Sequence, residues 1–190
     1  RGITIRDDSI MIHPPPNHWY HADMAQAFWP KLPVILETGH YGGCLKRGGW
    51  SPELFLRSVE DYHASFMSIH WWPRELLEAN RKTIDQINQR LGYRLQPVEV
   101  TWPKSVELGT SQNSYTQYGD VSGHSDAKTT FRVQWAWTNK GVAPCYPGGF
   151  PAITLKDSKG CIVSVLTDDT LNVRDMKVGP AGSFPITRHQ

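Results

Sequence analysis

The stretch that decides how this chain is interpreted is Pro33-Val34-Ile35-Leu36-Glu37-Thr38-Gly39-His40-Tyr41-Gly42-Gly43. Its continuous apolar run predicts a strand buried on both faces, which is typical of a parallel sheet covered by helices. The run ends on Glu37, and a polar, glycine-rich loop follows at once. Site residues collect at the carboxyl ends of parallel strands, so Glu37 is the first candidate functional residue. The alternative is that Glu37 only leaves the sheet and meets solvent.

Strands and helices alternate around this stretch. Hydrophobic periodicity predicts strands over residues 3–6, 34–36 and 64–69, and helices over residues 23–29, over residues starting at Pro52, and over residues 74–91. Asp23 is the expected cap of the first helix, Ser51 caps the second and Gly92 ends the third. Residues 39–50 hold five glycines and are expected to form a loop. Alternation of this kind predicts a parallel α/β arrangement.

The pattern changes near Pro97, where a two-residue period replaces the helical one. Short alternating strands are predicted over residues 98–102, 131–137, 152–155 and 162–166, with turn signals between them. We therefore expect residues 1–97 to form one unit and residues 98–190 to form an immunoglobulin-like, antiparallel β-sandwich.

The sandwich is expected to do no chemistry, because its polar residues alternate with apolar ones and do not gather at one end. We expect it to pack on the first unit through Trp102, Trp135 or Trp137.

Composition excludes several classes of function. The chain has 190 residues and a net charge of +2 without a basic run, so no nucleic-acid partner is expected. No apolar run is long enough to span a bilayer. The chain opens on Arg1-Gly2-Ile3 without an initiator methionine, so we expect it to be a piece of a longer protein, and the missing targeting signal does not indicate a compartment.

Metal and disulfide patterns are weak. His13, His18 and His21 share one proline-rich loop but lack a carboxylate ligand pattern, so neither a metal nor another cofactor is expected. Asp120 and Asp126 lie in a polar segment that favours a solvated loop over a calcium site. The three cysteines leave two possibilities open: one disulfide, with Cys145 and Cys161 as the first pair to test, or three free thiols.

Three predicted strands end in polar or aromatic clusters, and parallel pairing would bring these ends to one rim. The eight Trp, seven Tyr and six Phe are many for this length, and aromatic faces stack on sugars. A carboxylate among imidazoles and tryptophans suits glycoside chemistry, because it can attack or stabilise an oxocarbenium-like centre. We predict Glu37 as the catalytic residue and, as substrate-binding residues, Arg6, Asp7, Asp8, His40, Tyr41, His70, Trp71 and Trp72. The alternative is that the His and Trp side chains only plug the end of a barrel.

The chain also resembles a family of bacterial proteins of uncharacterised function that are similar to glycoside hydrolases. The stretches that carry the resemblance are Arg6-Asp7-Asp8, Pro33-Val34-Ile35-Leu36-Glu37, Tyr62-His63-Ala64-Ser65, His70-Trp71-Trp72, Leu91-Gly92-Tyr93-Arg94-Leu95 and Thr138-Asn139-Lys140-Gly141-Val142-Ala143-Pro144. The resemblance implies a (β/α)8 barrel followed by a C-terminal β-sandwich. On this basis the chain starts at the sixth barrel strand, and its missing partner is the upstream barrel half, from the same precursor or another chain.

The resemblance also implies roles for individual residues. Glu37, at the end of the seventh strand, takes the position of the nucleophile of retaining hydrolases, and His70 and Trp71 line the sugar subsite. The nucleophile must be ionised, so Arg6, His40 or Tyr41 should stabilise its charge. The acid/base is expected upstream of residue 1. The implied location is extracellular or periplasmic.

Two functions therefore remain open at this point. One is a glycoside hydrolase that acts on an oligo- or polysaccharide, and the other is a non-catalytic carbohydrate-binding or cell-surface protein that uses the same rim. A second carboxylate about 5 Å from Glu37 would favour the hydrolase. A Glu37 side chain held in a salt bridge would favour the binding protein.

Overall fold

The computed structural model describes residues 3–17, 19–69, 72–105 and 132–189. Its strands are β1 (Arg6–Ile10), β2 (Val34–Thr38), β3 (Ala64–Ser68), β4 (Leu95–Thr101), β5 (Gln134–Asn139), β6 (Ala152–Lys156), β7 (Ile162–Thr167) and β8 (Ile186–His189). Its helices are α1 (Ala22–Ala25), α2 (Tyr41–Arg47), α3 (Pro52–Asp61) and α4 (Pro73–Arg90), with a short 3-10 helix over Val173–Asp175. These strands form three small sheets.

The first sheet has the order β1-β2-β3, and both of its pairings are parallel, as the sequence predicts. Arg6 lies opposite Ile35, and Ile35 lies opposite Phe66. The first strand begins at Arg6, whereas the sequence predicts a strand over residues 3–6. The charged residues that were expected to end this strand therefore lie inside it.

The expectation of a barrel is wrong. The described residues contain an open three-stranded parallel sheet and two small antiparallel sheets, and they show no (β/α)8 barrel or closed part of one. The apolar run before Glu37 is typical of any strand in a covered parallel sheet, so it predicts parallel pairing but neither the number of strands nor their closure.

The helices follow local signals where capping residues are present. Ser51 caps α3 by accepting a hydrogen bond from the Leu54 amide at 3.1 Å, as predicted. The predicted helix over residues 23–29 is wrong in extent, since α1 ends at Ala25 and its cap position is His21 rather than Asp23. The predicted loop over residues 39–50 contains α2, which ends where Gly48 adopts a φ of 72°.

The main hydrophobic core lies between one face of the first sheet and the helices. Fully buried side chains include Leu36 on β2, Phe55 and Val59 on α3, and Tyr62 directly after α3. The helix α4 adds Leu76, Ile84 and Ile87 to the same cluster. Burial of one helix face against the sheet therefore fixes β2 and its polar end in place.

The expected sandwich is wrong as well. The sheet β4-β5-β8 and the hairpin β6-β7 are separate, and a cleft of about 890 Å³ lies between them. Apolar side chains that would fill a sandwich core are exposed, such as Val163 and Val165. Alternation along a strand predicts which side chains share a face, but it does not predict that two faces close on each other. Pro97, the expected boundary between the units, lies inside β4.

The first and later parts of the chain are joined by polar contacts. The Arg90 guanidinium binds both carboxylate oxygens of Glu60, at 2.5 and 2.8 Å, and also donates to the carbonyl groups of Lys140 and Gly179. The His63 imidazole donates to the Val142 carbonyl at 2.6 Å. None of the described helices combines the length and the apolar composition that crossing a membrane requires.

Candidate functional site

The two faces of the first sheet differ in exposure, and this difference decides which predicted residues can meet a ligand. Along β2, Val34, Leu36 and Thr38 are buried, whereas Ile35 and Glu37 are only partly buried. Side chains alternate across a strand, so Ile35 and Glu37 lie on the face opposite to the buried residues. Arg6 and Phe66 pair with Ile35 in the neighbouring strands and therefore share this second face. Phe66 is 61% exposed there. We call this second face the open face.

Glu37 and Arg6 form an ion pair on the open face. Arg6 Nη2 donates to Glu37 Oε2, and the side chains are 57% and 13% exposed, respectively. The guanidinium therefore lies at the solvent edge and covers a carboxylate that is mostly enclosed. Arg6 is therefore confirmed as a charge partner of Glu37. A Glu37 side chain held in a salt bridge is the arrangement that favours the binding protein over the hydrolase.

Asp8 is a second carboxylate near Glu37. It is exposed and follows Asp7 on β1, the strand beside β2. Asp7 lies opposite Leu36, the residue before Glu37, and the register between the strands shifts after Asp7. Asp8 therefore lies on the strand that pairs with the strand of Glu37, within the stretch where the register between the two is irregular.

Asp7 has a structural role. It is 8% exposed and accepts a hydrogen bond of 2.5 Å from the Tyr62 hydroxyl, which in turn accepts one from the His21 backbone amide. The His21 ring nitrogen Nδ1 is 3.5 Å from the same carboxylate. Burial and the hydrogen bond to Asp7 raise the pKa of Tyr62 far above the usual value for tyrosine. The Asp7 carboxylate is therefore enclosed and bonded within the fold, and its predicted role in substrate binding stays a prediction.

The sequence analysis missed the partner of Asp7, and it also missed a neighbouring pair. Tyr20 donates to Asp61 at 2.7 Å and meets the Tyr62 ring edge-to-face at 5.1 Å. Burial, followed by the bond to Asp61, raises the pKa of Tyr20. These contacts anchor the proline-rich loop on α3, and no spacing in the sequence indicates them because the partners lie about 40 residues apart.

Two aromatic groups mark the carboxyl end of the sheet. His40 is exposed and lies directly before α2, with its ring centroid 6.4 Å from that of Trp72. Trp72 lies directly before α4, is 47% exposed and packs over Gly42. The structure therefore brings together two predicted binding residues from the ends of β2 and β3.

Tyr41 does not belong to this surface. It is 7% exposed, accepts a hydrogen bond of 3.1 Å from Asn80 and meets Trp50 edge-to-face at 4.8 Å. The first turn of α2 directs the ring into the core, and the predicted role of Tyr41 in substrate binding stays a prediction. His70 and Trp71, the other predicted residues on this rim, lie outside the described residues, as do Asp120 and Asp126.

Neither a disulfide nor a cluster of metal ligands is present among the described residues. Cys44, Cys145 and Cys161 are all free thiols, so the suggested Cys145–Cys161 disulfide is not formed. Burial raises the pKa of the Cys44 thiol and keeps it in the unreactive form. In the described part of the chain, no group of three or more His, Cys, Asp or Glu side chains has a metal-binding arrangement.

A separate cavity of about 450 Å³ lies beside the start of α3. Its lining includes Pro15, Trp50, Glu53 and Arg57. It has the aromatic and charged side chains that a sugar site needs, but the Trp50 indole already donates to Asn80 at 3.3 Å and packs against Phe55.

No protein-family model matches the sequence, and the comparisons with curated proteins and with solved structures found no match. The functional argument therefore depends on the residues of the open face and on the chemistry that they can perform.

Proposed function

We propose that the chain is a carbohydrate-binding module whose site is the carboxyl end of the first sheet, on the open face. The observation that carries the proposal is the Arg6–Glu37 ion pair at an open edge. A guanidinium and a carboxylate together offer donors and acceptors in one plane, which suits neighbouring sugar hydroxyl groups. Trp72, half exposed beside His40, adds a flat apolar surface for a sugar ring.

The chemistry of this surface favours an uncharged oligo- or polysaccharide. Glu37 and Arg6 neutralise each other, so the pair does not select for a strongly charged ligand. An ordered pair also loses less conformational freedom on binding than two separate side chains would lose.

The proposal is tested by titrating the protein with a panel of oligosaccharides. Binding is measured by calorimetry and by the NMR signals of the Trp indoles. Trp72→Ala should weaken binding by about tenfold, since it removes the stacking surface. Trp102→Ala is the matched control, because Trp102 is 66% exposed and lies on another part of the chain. Equal weakening in both variants, or a sugar that shifts the Trp50 signal instead of Trp72, would contradict the proposed site.

A glycoside hydrolase is the second candidate, and the observation that favours it is the exposed Asp8 on β1, the strand that pairs with the strand of Glu37. Hydrolysis with retention needs two carboxylates about 5–5.5 Å apart, one as nucleophile and one as acid/base. In this case Glu37, paired with Arg6, is the nucleophile, and Asp8 is the acid/base.

Release of reducing sugar from the polysaccharide that binds best separates the two candidates. Glu37→Gln keeps the shape and removes the charge, so a hydrolase should lose turnover by several orders of magnitude while binding persists. Glu78→Gln, an exposed carboxylate on α4, is the control. Near-normal turnover in the Glu37→Gln protein would exclude the catalytic role.

A further inference from the structure

The cleft between the sheet β4-β5-β8 and the hairpin β6-β7 is lined by residues that do not belong to the open face. Its volume is about 890 Å³, and both sheets contribute to its lining. Pockets that hold small molecules have volumes of roughly 300–1,000 Å³ and mostly apolar walls. The size of the cleft is therefore suited to a ligand.

The walls of the cleft carry apolar side chains that the described residues leave exposed. Trp102 and Val163, which contribute from opposite sheets, are 66% and 64% exposed. Leu155 and Leu166 on the hairpin are 39% and 40% exposed. Scattered exposed apolar residues need no explanation, but a contiguous apolar surface of this kind marks a binding site.

The lining also defines the chemistry of the ligand. Lys156 is the only charged residue among the thirteen described residues that line the cleft. A sugar would leave its hydroxyl groups without partners there, which costs free energy for each group. The indole N–H groups of Trp135 and Trp137 are closed to solvent and have no acceptor in the described part of the chain, so a sugar cannot reach them either.

We propose that this cleft binds an anionic amphiphile, a molecule with one apolar chain and a carboxylate head, such as a fatty acid. The apolar chain lies between the two sheets, and the head pairs with the Lys156 ammonium group. Charge complementarity at Lys156 selects a single anionic head, and the apolar walls select the chain. The proposal departs from the expectation that the second half of the chain only packs on the first.

Titration with dodecanoate, at concentrations below those at which it forms micelles, tests the proposal directly. Binding is followed by Trp fluorescence and by displacement of a fluorescent apolar probe. Val163→Glu places a carboxylate in the cleft, and we expect it to weaken dodecanoate binding by about tenfold or more. Val98→Glu is the matched control, because Val98 is 46% exposed on β4 and does not line the cleft.

The head group is tested separately. Lys156→Gln should weaken dodecanoate binding by roughly threefold to tenfold and leave dodecan-1-ol binding unchanged, since only the carboxylate uses the charge. Circular dichroism of each variant verifies that the fold is retained.

Four results would overturn the proposal. They are no saturable binding of dodecanoate, equal weakening by Val163→Glu and Val98→Glu, an equal change in the affinities for dodecanoate and dodecan-1-ol on Lys156→Gln, or a concentration-dependent dimer that Val163→Glu dissolves. The last result would assign the cleft to a second copy of the chain. Binding of oligosaccharides that persists in Val163→Glu but not in Trp72→Ala would leave the cleft proposal intact, because the two sites are distinct.

Discussion

The described strands number three in the first half of the chain and five in the second, yet the first half has the larger core. Among the described residues, fifteen buried hydrophobic side chains form the cluster around β1, β2, α3 and α4, whereas four form the cluster beside β5. The first half covers one face of its sheet with helices, and those helices supply the second layer that a core requires. The second half has two sheets that face each other across a cleft. The difference shows that the apolar residues on one face of a sheet become buried only where a second layer of helices or strands packs against that face.

The same comparison separates the two proposed sites. In the first half, the site lies on the face that the helices leave open, and its polar pair is Arg6 and Glu37. In the second half, the site lies between layers and is almost wholly apolar, with Lys156 at its lining. Each site is located where its half of the chain lacks a covering layer.

The largest effect is expected in the first core. Phe55 is fully buried, so Phe55→Ala should lower the free energy of unfolding by about 3–5 kcal/mol through lost burial and a residual cavity. Urea denaturation followed by far-UV circular dichroism measures this change. A loss below about 1 kcal/mol would mean that the first half is as loosely packed as the second, and it would break the comparison.

The buried Asp7–Tyr62 contact should give the next largest effect. Tyr62→Phe removes the hydroxyl group that donates to Asp7 and accepts from His21, so a buried carboxylate and a backbone amide each lose a hydrogen bond. We expect a loss of about 1–3 kcal/mol in the free energy of unfolding.

Tyr93→Phe, at a 47% exposed position, serves as the control and should be nearly neutral. If the Tyr62→Phe protein is as stable as the wild-type protein, the Asp7–Tyr62 contact does not stabilise the fold, and Asp7 is then available to a ligand.

The contact between His63 and Val142 predicts a pH dependence at the junction of the halves. His63 stacks on Trp29 at 3.7 Å, and burial lowers the pKa of its imidazole from 6.5. Because the folded state resists protonation more than the unfolded state, this residue's contribution to stability is present above pH 6.5 and is lost as the pH falls towards the folded pKa.

Urea denaturation at about pH 8 and about pH 5 measures this contribution. The wild-type protein should lose more stability on acidification than the His63→Gln protein, since the other histidines are common to both. If acidification lowers the free energy of unfolding of both proteins by the same amount, the burial of His63 does not make the stability of the fold depend on pH.

The sequence predicts local features well and closure poorly. The apolar run before Glu37 predicts a parallel strand, and Ser51-Pro52 predicts the start of α3, because both signals are contained in neighbouring residues. Among the described residues, the number of strands in each sheet and the open form of the first sheet depend on contacts between distant segments, which no local pattern contains.

The candidate site shows the same limit. The ion pair of Glu37 with Arg6 follows from parallel pairing of their strands, and it is predicted. The burial of Asp7 is missed, because its partner Tyr62 is 55 residues away. The helix α2 is missed because Gly42 and Gly43 lower helix propensity, while burial of Tyr41 and Cys44 overrides that preference.

The smallest effect is expected in the cleft, and a matched pair of substitutions measures the contrast between the halves. Val163→Thr places a hydroxyl group at a 64% exposed position, where water satisfies it, so the change in the free energy of unfolding should stay within about 0.5 kcal/mol. Val59→Thr makes the same chemical change at a fully buried position on α3 and should cost about 1–3 kcal/mol. Both proteins are measured by urea denaturation without added ligand. Similar losses in the two variants would mean that the sheets close around Val163 in solution, and the cleft would then be an ordinary sandwich core.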